Sequence, residues 1–180
     1  KSAPDGYTLY VAPNTHLINQ AMNPSIPFHA EKDFTGITLL TTTPNMIVVR
    51  SDSPWKTLPE YVQAAKADPG GVAYATSGAG TTVHLAGELF AHYANIKLNH
   101  IPYKGANLSV EAVIAGQVPS SVSALSSSLG FIKAGRIRVL GVMAEKRSPL
   151  LPNAPTMPEL GFKNVISDTW IGVIGPAGMP

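Results

Sequence analysis

The sequence predicts an α/β fold with a largely parallel sheet. Short apolar runs rich in β-branched residues alternate with amphipathic stretches of helical spacing along most of the chain. Hydrophobic residues make up 44% of the 180 and charged residues 13%, which supplies a sizeable core and argues against disorder. The run from Tyr74 to Phe90 reads as a strand, a glycine-rich hydroxyl turn and then a helix.

The elements follow in order. Asp5-Gly6 marks a turn before a short strand from Tyr7 to Val11, which Pro13 and Asn14 end. Leu17 to Met22 supplies a helical turn or two before Asn23-Pro24. A loop through Pro27, Glu31, Lys32 and Asp33 leads to the segment Phe34 to Thr41, and Met46 to Arg50 reads as a buried strand. Leu58, Tyr61, Val62 and Ala65 keep helical spacing, with Thr57 as N-cap and Pro59 in the first turn, and Asp68-Pro69-Gly70-Gly71 ends that helix. Strands are expected at Val72 to Thr76, Leu98 to Pro102, Val118 to Val122, Ile137 to Met143 and Thr169 to Ile174. Helices are expected at Thr81 to Ala94, Ala106 to Ala115, a short one through Ala134 after a serine-rich turn, and Thr156 to Leu160.

Composition excludes several functions. The formal net charge of +2 is slight and scattered, and no aromatic-basic interleaving suggests a nucleic-acid surface. Without cysteine there is no disulfide, thiolate zinc site or thiol nucleophile, which fits cytoplasm and periplasm equally. No run of apolar residues is long enough to span a membrane.

The turn Ser77-Gly78-Ala79-Gly80-Thr81-Thr82 carries the main chemical signal. It places unpaired backbone N–H groups at a helix N-terminus, where the partial positive charge favours an anion. Ser77, Thr81 and Thr82 add hydroxyls, and Gly78 and Gly80 let a ligand approach the backbone. No Lys follows Gly80, so this is not a phosphate-binding P-loop. Ala75 and Ala79 stand where a nucleophile elbow needs glycine. The same residues also suit an ordinary strand-to-helix loop with a threonine cap.

Several other groupings invite chemistry. His84, Glu88 and His92 share one helix face at metal-ligand spacing, but without the His-Glu-x-x-His pattern no metal is expected. Ser77 with His84 or His100 and Asp168 would make a hydrolase triad, the alternative being a small α/β hydrolase or transferase using Ser77 and His84. Lys104 suits a surface position beside a cleft, and Trp170 either lines a cleft or fills a core. No cofactor is implied.

Several short motifs occur in a fixed order: Ala3-Pro4-Asp5-Gly6-Tyr7-Thr8-Leu9, Lys32-Asp33-Phe34 with Leu39-Leu40 and Pro44-Asn45, Ser77 to Phe90, His100-Ile101-Pro102-Tyr103-Lys104-Gly105, Gly116-Gln117-Val118, Ile132 to Arg138, and Arg147-Ser148 through Pro155-Thr156. In this order the chain resembles the substrate-binding proteins of tripartite tricarboxylate transporters, the TctC or Bug type. The resemblance covers essentially all 180 residues. It implies a type II periplasmic-binding-protein clamshell closing on a small organic acid, a periplasmic location, a signal peptide in the full-length precursor and membrane transporter subunits as partners.

The resemblance also implies that the chain is cut at both ends. Residues 1–44 would form part of a first lobe, 45–165 a largely complete second lobe, and 166–180 a return to the first. Sheet edges left by a missing strand would favour a homodimer. Carried over residue by residue, Ser77, Gly78, Ala79, Gly80, Thr81 and Thr82 match the carboxylate-holding loop. Asn14, Thr15 and His16 match a first-lobe cleft loop, and Tyr103, Gly105 and Ala106 a loop and helix start that set ligand preference. Trp170 joins them as a cleft candidate. Ser123 stands where many relatives carry Asp, so a plain carboxylate is expected rather than an amino acid.

Overall fold

The computed structural model describes residues 2–23 and 25–180. Its strands are β1 (Tyr10–Pro13), β2 (Phe34–Arg50), β3 (Ala73–Thr76), β4 (Asn99–Pro102), β5 (Ser120–Ala124), β6 (Ile137–Val142) and β7 (Asp168–Pro176). Its helices are α1 (Thr15–Met22), α2 (Leu58–Ala67), α3 (Thr82–Ala94), α4 (Ala106–Ile114) and α5 (Leu125–Lys133), with a 3-10 turn at Pro158–Leu160.

β2 organises everything else. Its first part, Phe34 to Pro44, pairs antiparallel with β7, which also carries β1. From Asn45 onward β2 lies between β5 and β6, antiparallel to both. The sequence suggests two separate segments here, Phe34 to Thr41 and Met46 to Arg50. The strand instead runs through Pro44, because that is where its partner changes: Pro44 faces Asp168 at the end of the β7 ladder, and Asn45 opens the β5 ladder. A residue without an N–H is tolerated where a ladder stops.

β5, β3 and β4 continue the second sheet segment as parallel neighbours. The expected parallel sheet is therefore confined to this α/β portion. Elsewhere β2 pairs antiparallel with β7, which lies within the first segment alone.

Burial follows this division. Met46, Ile47, Val48 and Val49 are each almost wholly enclosed, between α2 and α3 on one face and α4 and α5 on the other. Each fully buried aliphatic side chain of this kind contributes about 1.5–3 kcal/mol. Before the crossover, Ile37, Leu39 and Leu40 on β2 are exposed.

Local chemistry sets the helix ends. Thr57 and Glu60 form a complete capping box on α2, with Pro59 in its first turn. Thr81 caps α3 through His84 N at 3.4 Å, and Asn95 closes the helix in the left-handed conformation. α1 begins at Thr15, earlier than its apolar spacing suggests, and β1 begins at Tyr10 rather than Tyr7. The serine cluster holds no turn. Ser120 to Ser123 belong to β5 and α5 starts at once at Leu125. Two of those serines have partners: Ser120 Oγ donates to Ala73 O at 2.9 Å, and the Ser123 and Ser128 hydroxyls are hydrogen-bonded at 2.8 Å, while the buried Ser121 Oγ has none among the described residues. The helix expected at Thr156 to Leu160 is reduced to the 3-10 turn.

Candidate functional site

Four helix N-termini meet at one cleft. α1 starts at Thr15, α3 at Thr82, α4 at Ala106, and α5 follows its N-cap Ala124. All four residues line a pocket of about 100 Å³ together with Ser77, Thr81, Val83, Ser109, Val122, Ser123 and Thr169. Parallel strands explain part of this convergence. β3 and β5 end at the same edge of the sheet, so the helices that follow them start there.

The electrostatics favour an anion held without a cation. Seven of the eleven lining residues carry a hydroxyl and none is charged. The N-caps of α1, α4 and α5 make no side-chain cap bond, so those first-turn amides are not closed off by the usual local acceptor. Each helix start carries roughly half a positive charge from aligned peptide dipoles.

The turn is more self-contained than its sequence suggests. Gly78 N donates to Thr76 Oγ1 at 3.2 Å, and Gly80 N donates to His84 Nδ1 at 3.2 Å. Thr81 Oγ1 donates to Gly78 O at 2.7 Å and accepts from His84 N. Thr82 Oγ1 donates to Asn14 Oδ1 at 2.6 Å. The glycine amides and both threonine hydroxyls are thus spent on the protein itself, which corrects the expectation that they stand open. The Thr82 and Val83 amides, at the first two helical positions, have no acceptor within α3. Among the described residues the Ser77 hydroxyl has no hydrogen-bond partner. Gly78 and Gly80 adopt φ of 147° and 73°, conformations that require glycine.

The structure brings Thr15, Ser77, Thr81, Thr82, Ala106 and Ser123 to the pocket, with Gly78, Ala79 and Gly80 in the adjoining turn. Gly105 is the N-cap of α4, and the Tyr103 carbonyl packs near Gly78. Asn14 is buried behind the pocket, where its side-chain amide donates to Asp168 O at 2.9 Å. His16 and Trp170 are not brought to it. His16 stacks on Phe28 at 4.6 Å between ring centroids and meets Tyr10 and Phe34 edge-on, and burial lowers its pKa. Those three rings also line a larger hollow of about 520 Å³ on the first sheet segment. Trp170 lines a separate open hollow on that segment with Gly36, Thr38 and Leu39.

Sequence reasoning missed Val83, Ser109, Val122, Ala124 and Thr169. Thr169 was findable: in a strand, neighbours face opposite sides, so a Trp170 turned outward sends Thr169 inward. Ser109 lies one helical turn beyond Ala106 and carries the same signal.

The geometry gives no support to a hydrolase. The imidazoles of His84 and His100 bond to Gly80 N and Thr76 Oγ1, not to Ser77. Glu88 accepts from the Tyr74 hydroxyl at 2.5 Å, and His92 rests edge-on against Tyr93.

Residues 1–180 match throughout the family described as the tripartite tricarboxylate transporter family receptor, TctC. The chain belongs to this family. It is a family of receptors rather than enzymes. The chain is 34% identical to a UPF0065 protein in the tcbD-tcbE intergenic region of Pseudomonas sp. strain P51, across 100% of its own length and 54% of that protein's. It is 31% identical to Protein BugT of Bordetella pertussis, across 99% of its own length and 55% of that protein's. It therefore spans about half the length of the curated relatives it matches.

Solved structures agree. A protein solved as a periplasmic transporter superposes with a TM-score of 0.94 at 31% identity, covering 100% of this chain and 61% of that one. An R. palustris protein solved with adipate gives 0.93 at 29% identity, covering 100% and 60%. MatC from Rhodopseudomonas palustris, solved with bound malate, gives 0.90 at 26% identity, covering 99% and 61%. The chain thus has the α/β periplasmic-binding-protein fold, with one lobe largely complete.

Proposed function

We propose that this chain is the ligand-gripping part of a periplasmic receptor that captures a small organic carboxylate for a tripartite tricarboxylate transporter. The observation that carries the reading is the meeting of four helix N-termini at an uncharged, hydroxyl-lined pocket. Such a site stabilises negative charge with fixed dipoles, and it avoids the desolvation of a buried arginine. The adipate and malate in the two R. palustris structures support the ligand class.

In this reading the Thr82 and Val83 amides and the Ser77 hydroxyl hold one carboxylate, and the open starts of α4 and α5 receive the remaining polar atoms, directly or through water. The two lobes divide near residues 44 and 166, where β2 changes partners and β7 begins, and closing them excludes solvent. The closed receptor then presents its ligand to the membrane subunits.

Calorimetric titration with adipate, malate and the amino acid aspartate tests this. Saturable binding of an unsubstituted dicarboxylate, with aspartate weaker, is the expected result. Binding of aspartate alone, or hydrolysis of an ester probe, would overturn it.

A further inference from the structure

Behind the turn, facing away from the pocket, lie two stacked histidines. The His84 and His100 rings are 4.0 Å apart at 24° between planes. Each bonds to one end of the turn. His84 Nδ1 accepts from Gly80 N at 3.2 Å. His100 Nε2 meets Thr76 Oγ1 at 2.7 Å, and Thr76 Oγ1 in turn accepts from Gly78 N at 3.2 Å. The pair comes from α3 and β4, and the turn they hold comes from between β3 and α3.

We propose that His84 and His100 are positioning residues: as neutral imidazoles they clasp the Thr76-to-Thr82 turn at both ends and so aim the start of α3 at the ligand. This rests on the receptor reading above, for the turn needs aiming only if it holds a ligand. Neither imidazole lines the pocket.

The chemistry fixes the state of His84. A ring nitrogen that accepts from a backbone N–H carries no proton of its own, so Nε2 holds the hydrogen of neutral His84. That Nε2 lies 4.0 Å from Glu88 Oε1, whose carboxylate is also held by the Tyr74 hydroxyl. Protonating Nδ1 would set two donors against each other and release Gly80. His100 resists protonation through burial and the neighbouring His84, with Glu88 opposing. The titratable groups facing the pair are thus Glu88 on α3 and Tyr74 on β3, whose ring lies 5.1 Å from that of His100. Burial and the Glu88 bond hold the Tyr74 phenol far above its usual range, so it stays neutral.

Two measurements on the full chain test the clasp. The first is hydrogen exchange of the Gly80 and Gly78 amides followed by proton–nitrogen NMR without ligand. The Gly80 amide is expected to lose protection in His84→Leu and to keep it in His84→Asn, whose side-chain oxygen stands where Nδ1 accepts. A Gly80 amide equally protected in both variants overturns the proposal. The second is adipate binding at about pH 8, where an ordinary imidazole is neutral. His84→Leu is expected to weaken binding by about tenfold, the scale of one lost hydrogen bond, while His84→Asn and His100→Gln stay close to the parent. Equal affinity of His84→Leu and His84→Asn overturns it. If the parent chain binds neither adipate nor malate, the receptor reading fails on its own, and the amide exchange still judges the clasp.

Discussion

The Thr82 hydroxyl donates to the Asn14 side-chain oxygen at 2.6 Å, joining the first residue of α3 to the N-cap of α1. Asn14 also donates to Asp168 O from its side chain and to Trp170 O from its backbone, so one buried amide ties the two sheet segments together beside the pocket. Thr82→Val keeps the shape but strands the Asn14 oxygen, at a cost of about 1–3 kcal/mol. Thermal unfolding should show a lower Tm for Thr82→Val and a near-parental value for Thr82→Ser. Equal Tm values for valine and serine would show that the bond contributes nothing.

Gly87 sits inside α3, where alanine would ordinarily gain about 1 kcal/mol of helix propensity. Here an added Cβ would overlap the Tyr74 ring. That ring is fully buried and its hydroxyl is fixed by Glu88, so it has no room to yield. Overpacking costs about 1–3 kcal/mol and outweighs the gain. Gly87→Ala should therefore lower the denaturant midpoint, and a rise would refute the packing argument.

Ser123 puts a small neutral hydroxyl at the pocket wall, shared with Ser128. Ser123→Asp introduces a carboxylate where an acid should bind. Adipate affinity is expected to fall by at least about tenfold, one charge–charge contact at partly screened distance. Affinity for a ligand bearing an ammonium group should rise by comparison. Unchanged adipate binding would place the ligand elsewhere.

Acid should weaken the fold through two histidines. Burial lowers the pKa of both His16 and His100 from the ordinary 6.5. The folded state then resists a proton that the unfolded chain accepts, so this stability is present above pH 6.5 and is lost as pH falls through that value toward the folded pKa. Tm should drop between neutral pH and about pH 5, and His100→Gln should shrink the drop. A Tm independent of pH across that window would exclude both groups as contributors.

The sequence by itself determined most of the elements, the threonine caps and the glycines of the turn. Local signals suffice for these: the Thr57 cap on α2, the threonine cap on α3, and the glycines at 78 and 80, whose positive φ suits a residue without Cβ. Family membership was also legible, because ordered short motifs are a property of the chain alone. Only the tertiary structure decided partners. Phe34 to Thr41 and Met46 to Arg50 look like separate segments until β2 is seen to exchange β7 for β5 between them. Thr81 and Thr82 look like ligand hydroxyls until Gly78 and Asn14 take them. His16 looks like a cleft residue until it stacks on Phe28. In each case the deciding atom lies far away along the chain or across a turn, and a hydrogen-bonding group is spent on whichever partner folding brings nearest.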